Sequence, residues 1–159
     1  PEKNYPSLCT SDVLHAYTNI NLALLLNPVH ANLANPRMWE AEGEPCVSDW
    51  GKVGTFRLTT VKTIGLPGWY TAEALRKRVC VRFAILCARA VLHCYEQWAP
   101  SDNRVRAAIE AAEEYLNPPS AACAACAARA AYAAACAADA APDIAALADD
   151  SVLGGIDAH

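Results

Sequence analysis

No stretch of the chain reaches the roughly 18 consecutive apolar residues of a membrane-spanning helix, and Arg129 and Asp139 interrupt even its most alanine-rich tract. The first residues, Pro1-Glu2-Lys3-Asn4-Tyr5, carry no apolar h-region, so no secretory signal is expected. There is no P-loop, GxGxxG, GxSxG or HExxH, and the four histidines stand apart at 15, 30, 93 and 159. No catalytic, cofactor-binding or metal-ligating set is therefore expected, and the chain does not read as an enzyme. Charge is sparse, at 19% of residues, with a formal net charge of -4. Such a mildly acidic chain is a poor candidate for gripping a nucleic-acid backbone without a local basic face. Disorder over most of the length is excluded as well, because 54% of the residues are hydrophobic. Eight cysteines in 159 residues fall below the density of a small disulfide scaffold. With no secretory signal expected, these thiols point to a reducing, cytoplasmic compartment.

What the chain has in abundance is alanine: 34 residues, 15 of them between Ala121 and Ala141. Alanine has the highest intrinsic helix propensity, so residues 121–140 are expected to be helical between Pro119 and Pro142. Proline punctuates the rest. Thr10-Ser11-Asp12 reads as a helix start, with Leu14, Ile20 and Leu22 to Leu26 as the apolar face and Asn27-Pro28 as the stop. A shorter helix is expected around His30 to Glu42, offset by Pro36. The glycine- and threonine-rich segment 43–68 reads as an irregular loop or a short strand. Residues 71–98 form the clearest helix, with Thr71 as cap, Glu73 in its first turn and Pro100 beyond its end. Ser101 or Asp102 caps the next helix, whose apolar positions include Val105, Ile109, Ala112, Tyr115 and Leu116. The short connection implies an antiparallel neighbour. These elements predict an all-α fold: one domain over 1–159, a bundle of four or five helices around 71–98. Residues 143–159 are either a frayed acidic end or a short final helix.

At about 100° per residue, Arg78, Arg82, Arg89, His93 and Glu96 share one narrow strip of the 71–98 helix. Residues 71–106 carry seven basic and three acidic groups, whereas 107–159 carry one basic and eight acidic. The Arg78/Arg82/Arg89 seam is expected to face Glu110, Glu113 or Glu114 on the next helix, the alternative being an anion-binding groove. Cys80, Cys87 and Cys94 recur every seven residues and read as core positions. Successive members lie about 10 Å apart along the axis, too far to pair as disulfides. His93 beside Cys94 is not expected to form a pair, since adjacent helical residues diverge. Cys123 and Cys126 have a ligand-like spacing without a second motif to complete a metal site, and Cys136 shares their arc.

The helix Cys80-Val-Arg-Phe-Ala-Ile-Leu-Cys87-Ala-Arg-Ala-Val-Leu, the phrase Asp102-Asn-Arg104-Val-Arg106-Ala-Ala-Ile109-Glu110-Ala-Ala-Glu113 and the alanine tract with Tyr132 together carry a resemblance. Over residues 79–141 the chain resembles a family of bacterial and phage immunity proteins of the Imm5 kind. That resemblance implies a small cytosolic protein that neutralises another protein, a bacterial toxin or defence protein, by binding it; it assigns no functional residue. The expectation is a non-enzymatic inhibitor, either a toxin-immunity protein or a phage-encoded inhibitor of a bacterial defence system. A self-assembling scaffold and a metal- or redox-active cysteine-rich bundle stand as alternatives. The candidate contact residues are Trp39, Trp50 and Trp69 around the 39–69 loop, together with Asp143, Asp149 and Asp150 of the acidic end. Tryptophans are as a rule core or loop anchors, so the loop carries this assignment more than the residue type does.

Overall fold

The computed structural model describes residues 7–8, 10–49, 51–116 and 144–156, and the chain divides into an N-terminal unit, Pro1–Pro67, and a C-terminal unit, Gly68–His159. The expected all-α bundle is overturned: the N-terminal unit holds two antiparallel sheets with five strands among its described residues. The alanine tract lies outside the described residues.

In the N-terminal unit the order is β1 (Leu14–Tyr17), α1 (Ile20–Leu25), α2 (Asn27–His30), β2 (Met38–Glu42), β3 (Val47–Ser48), β4 (Lys52–Thr55) and β5 (Thr59–Ile64). Strand β4 is the centre of one sheet, ordered β1-β4-β3, with Leu14 opposite Thr55 and Tyr17 opposite Lys52. Gly54 is required there by close approach. A Cβ at this position would come within 2.7 Å of Val47 Cγ1 and 2.8 Å of Val13 Cγ2. The β3–β4 turn is closed by Asp49, whose Oδ1 accepts the backbone N–H of Lys52 at 2.9 Å. Strands β2 and β5 form a separate hairpin ladder, with Trp39 opposite Thr63 and Glu40 opposite Lys62. Its register shifts between Glu40 and Ala41, which leaves Val61 as a bulge on β5.

Two expected helices thus contain strands. Residues Leu14–Tyr17 have helix-compatible side chains, but their backbone groups pair with β4, and the true helix start is Asn19. The Asn19 side chain accepts the Leu22 N–H at 2.8 Å, and Leu22, Leu24 and Leu25 then turn inward. The expected 30–42 helix is replaced by one turn of α2. That turn stops at Ala31, Asn32 takes a φ of 50°, and Met38–Glu42 continues as a strand.

The C-terminal unit is helical among its described residues: α3 (Gly68–Thr71), α4 (Glu73–Trp98), α5 (Arg104–Leu116) and α6 (Ile144–Ile156). Val81, Ile85, Ala88 and Leu92 of α4 pack with Ile109 and Ala112 of α5, flanked by Val105, Tyr115 and Leu116. Helix α6 lies against α4, burying Ala148, Ser151 and Val152, so the acidic end forms a final helix. The buried Ser151 hydroxyl donates to the Ala148 carbonyl at 2.7 Å, which satisfies it inside the helix. Thr71 is not the cap of α4. Ala72 occupies that position, and the Thr71 hydroxyl donates instead to the Gly68 carbonyl at 3.1 Å. Between α4 and α5, Asp102 accepts the Tyr95 hydroxyl at 2.7 Å and the Arg104 backbone N–H at 3.0 Å.

Candidate functional site

The N-terminal unit holds a cleft of about 740 Å³. Residues of β1, α1, α2, the 31–37 loop, β2 and β5 line it, with Lys52 of β4 among them. Its walls follow from local sequence. Asn19 starts α1 at the point where β1 ends, so Tyr17, Thr18 and Ile20 fall on the same wall. Asn27 shapes the next loop with both ends of its amide: Nδ2 donates to the Leu33 carbonyl at 2.9 Å and Oδ1 accepts the Leu33 N–H at 3.0 Å. This bridge holds the chain between α2 and β2 in a compact turn, which brings Pro36 and Arg37 into the lining.

Within this cleft the Tyr17 hydroxyl is hydrogen-bonded to His30 Nδ1. Their rings lie nearly parallel, 12° between planes with centroids 6.1 Å apart. Lys52, at 8% exposure, lines the same cleft, as does the half-exposed Trp39 at 49%. Glu40, the acidic residue in the lining, is paired with Lys62 across the hairpin at 3.0 Å. A smaller hollow of about 520 Å³ lies in the same unit, lined by residues that include Glu42, Glu44, Cys46, Phe56 and Arg57.

The residues singled out in the sequence are dispersed. Trp39 lines the cleft, Trp69 is buried at 4% exposure, and Trp50 and Asp143 lie outside the described residues. Asp149 and Asp150 are exposed on α6. The basic seam is engaged inside the C-terminal unit. Arg89 forms a two-pronged pair with Glu113, at 3.0 and 2.8 Å. Arg78 Nη1 donates to the Leu116 carbonyl at 3.0 Å. Arg82 Nε donates to the Asp150 carbonyl at 3.4 Å, and its guanidinium crosses α6 at Gly154, where a Cβ would approach it to 2.4 Å. The seam therefore binds α4 to its helical neighbours.

Nor do the cysteines share one environment. Cys87 is buried, and desolvation pushes its thiol up to about 12, so it stays protonated and unreactive near neutrality. Desolvation raises Cys80 as well. Cys94, expected in the core, is exposed, as is Trp98 at 82%. Cys94 Sγ also lies 3.3 Å from His93 Nε2, contrary to the expected divergence of neighbours, and both side chains are exposed. Cys9, Cys123, Cys126 and Cys136 lie outside the described residues. No cluster of three or more His, Cys, Asp or Glu suited to a metal ion occurs among the described residues.

Sequence reasoning missed Tyr17, His30, Arg37 and Lys52. They sit on a strand, a helical turn, a loop and a second strand, so no single periodicity links them. The only linear trace is the pair of side-chain-bonding asparagines, Asn19 and Asn27, that fold the intervening chain back on itself. No family model, curated protein or solved structure matches the chain.

Proposed function

We propose that the chain is a non-enzymatic protein-binding inhibitor acting in the cytoplasm against a bacterial toxin or defence protein, and that its N-terminal unit makes the contact. The observation that supports this reading is the distribution of exposed large apolar side chains. Among the described residues Leu14, Ile20, Val29, Leu33, Trp39, Phe56 and Val61 belong to the N-terminal unit, against Trp98 and Leu153 in the C-terminal unit. Exposed apolar surface concentrated on one small unit is characteristic of a docking face, with an aromatic such as Trp39 as its energetic centre. The excess of acidic over basic groups in residues 107–159, eight against one, steers a basic target at long range, an attraction that fades with salt. No described helix is long and apolar enough to cross a membrane.

The test is affinity capture from bacterial lysate with the wild-type chain, Trp39→Ala and Val61→Ser. The wild type retains a specific protein that both variants lose by tenfold or more at unchanged melting temperature. The same wild-type complex forms more slowly at 500 mM than at 50 mM salt. Full retention by both variants, or retention of nothing but further copies of the chain, overturns the reading.

A further inference from the structure

We infer that the smaller hollow of the N-terminal unit is a binding site for a zwitterion, an α-amino acid or short peptide with an aromatic side chain, an activity separate from docking a protein. The hollow, of about 520 Å³, lies where the chain leaves β2 and where it turns from β4 into β5. Its volume falls within the range of roughly 300–1,000 Å³ typical of small-molecule sites. Local contacts fix its walls. Gly43 runs so close to the opposite wall that a Cβ there would come within 2.6 Å of the Arg57 carbonyl oxygen. The buried Thr55 hydroxyl donates to that carbonyl at 2.9 Å and accepts the Arg57 backbone N–H at 3.2 Å. The Cys46 backbone N–H and thiol both donate to the Gly54 carbonyl, at 2.9 and 3.3 Å. The backbone is thus held while the side chains of Glu42, Glu44, Phe56 and Arg57 stay exposed on it.

The charges of this lining are unspent. Elsewhere on the hairpin Glu40 is paired with Lys62. Among the described residues no ion pair takes up the carboxylate of Glu42 or Glu44 or the guanidinium of Arg57, although all three share the hollow. Such a lining selects by charge pattern. A simple cation gains the two carboxylates but meets Arg57, and a simple anion gains Arg57 but meets two carboxylates. A zwitterion satisfies both poles: its ammonium donates to Glu42 and Glu44, and its carboxylate accepts the two-pronged guanidinium of Arg57. The Phe56 ring, 68% exposed beside these groups, gains burial against a flat apolar side chain. A phenylalanine-like ligand, free or at the end of a short peptide, carries all three elements.

Isothermal titration of the full chain with L-phenylalanine, glycyl-phenylalanine, phenethylamine and 3-phenylpropionate tests the assignment. At least one of the two zwitterions binds with a dissociation constant of about 1 mM or tighter. Phenethylamine, which lacks the carboxylate, and 3-phenylpropionate, which lacks the ammonium, each bind about fivefold or more weakly, as suits charged contacts open to water. Phenylalanine alone identifies a free amino acid as the source, glycyl-phenylalanine alone a peptide, and either or both support the site. Arg57→Gln, a surface change that leaves the melting temperature intact, weakens the zwitterion by a similar factor and does not weaken phenethylamine. Glu42→Gln combined with Glu44→Gln does the same to the zwitterion and does not weaken phenylpropionate. The assignment is overturned if neither zwitterion binds, if phenethylamine or phenylpropionate binds as tightly, or if Arg57→Gln leaves the zwitterion's affinity unchanged. Because no protein partner is present in this assay, its outcome is independent of the docking experiment.

Discussion

The two units of this chain treat charge and apolar surface in opposite ways. In the C-terminal unit the arginines of α4 turn to neighbouring helices: Arg89 to Glu113, Arg78 to the end of α5, Arg82 to α6. Its apolar side chains close a core of aliphatic and alanine contacts between α4 and α5. In the N-terminal unit Lys52 is buried beside a cleft, while Trp39, Phe56 and Val61 stand exposed. A unit whose charges serve its own register and whose core is closed is built for stability. One that leaves tryptophan and other large apolar side chains exposed keeps surface available for something else, at a cost in folding energy.

This contrast can be broken, first, at the helical core. Ile109 is almost fully buried against Val81, Ile85 and Leu92, so Ile109→Ala loses transfer energy and leaves a cavity. The expected cost is about 2–5 kcal/mol, seen as a fall in the thermal midpoint followed by far-ultraviolet circular dichroism. Next comes the N-terminal sheet. Gly54→Val places a branched side chain where even a Cβ meets Val47 and Val13 below 3 Å, and central-strand neighbours cannot move far. A loss of about 1–3 kcal/mol is expected from overpacking, measured by urea denaturation with Trp fluorescence. The smallest effect belongs to the seam. Both partners of the Arg89–Glu113 pair are more than a third exposed, so Arg89→Gln costs about 0.2–1 kcal/mol, and less as salt is raised. A loss of several kcal/mol there would mean that the C-terminal unit depends on its ion pairs more than on its apolar contacts.

The C-terminal helices were legible because each repeats one short-range signal over many residues. The reading of 71–98, bounded by Thr71 and Pro100, predicts α4 to within two residues at its start, and the cap signal at Ser101-Asp102 anticipates α5. The Arg89–Glu113 pair follows from the same helical periodicity. Exposure of Cys94 and Trp98 did not, since their stripe runs past the stretch of α4 that packs on α5. The N-terminal strands were hidden by composition. Met38-Trp-Glu-Ala-Glu42 contains good helix formers, and only pairing with β5 makes it extended. Leu14–Tyr17 likewise becomes a strand through β4, 35 or more residues later in the chain. The candidate site shares that fate. Trp39 drew attention as an aromatic in a loop-rich region, but Tyr17, His30 and Lys52 acquire meaning only once the sheet order is fixed.

The bulge at Val61 has a consequence for what the protein avoids. Strand β5, Thr59-Thr-Val-Lys-Thr-Ile64, is rich in β-branched residues and largely exposed in a two-stranded ladder, a composition that invites edge-to-edge polymerisation. An extra residue midway along it twists the edge out of register with any flat partner strand, and Lys62 beside the bulge places a charge on that edge. The hairpin can thus carry exposed apolar residues without offering a continuous template for aggregation.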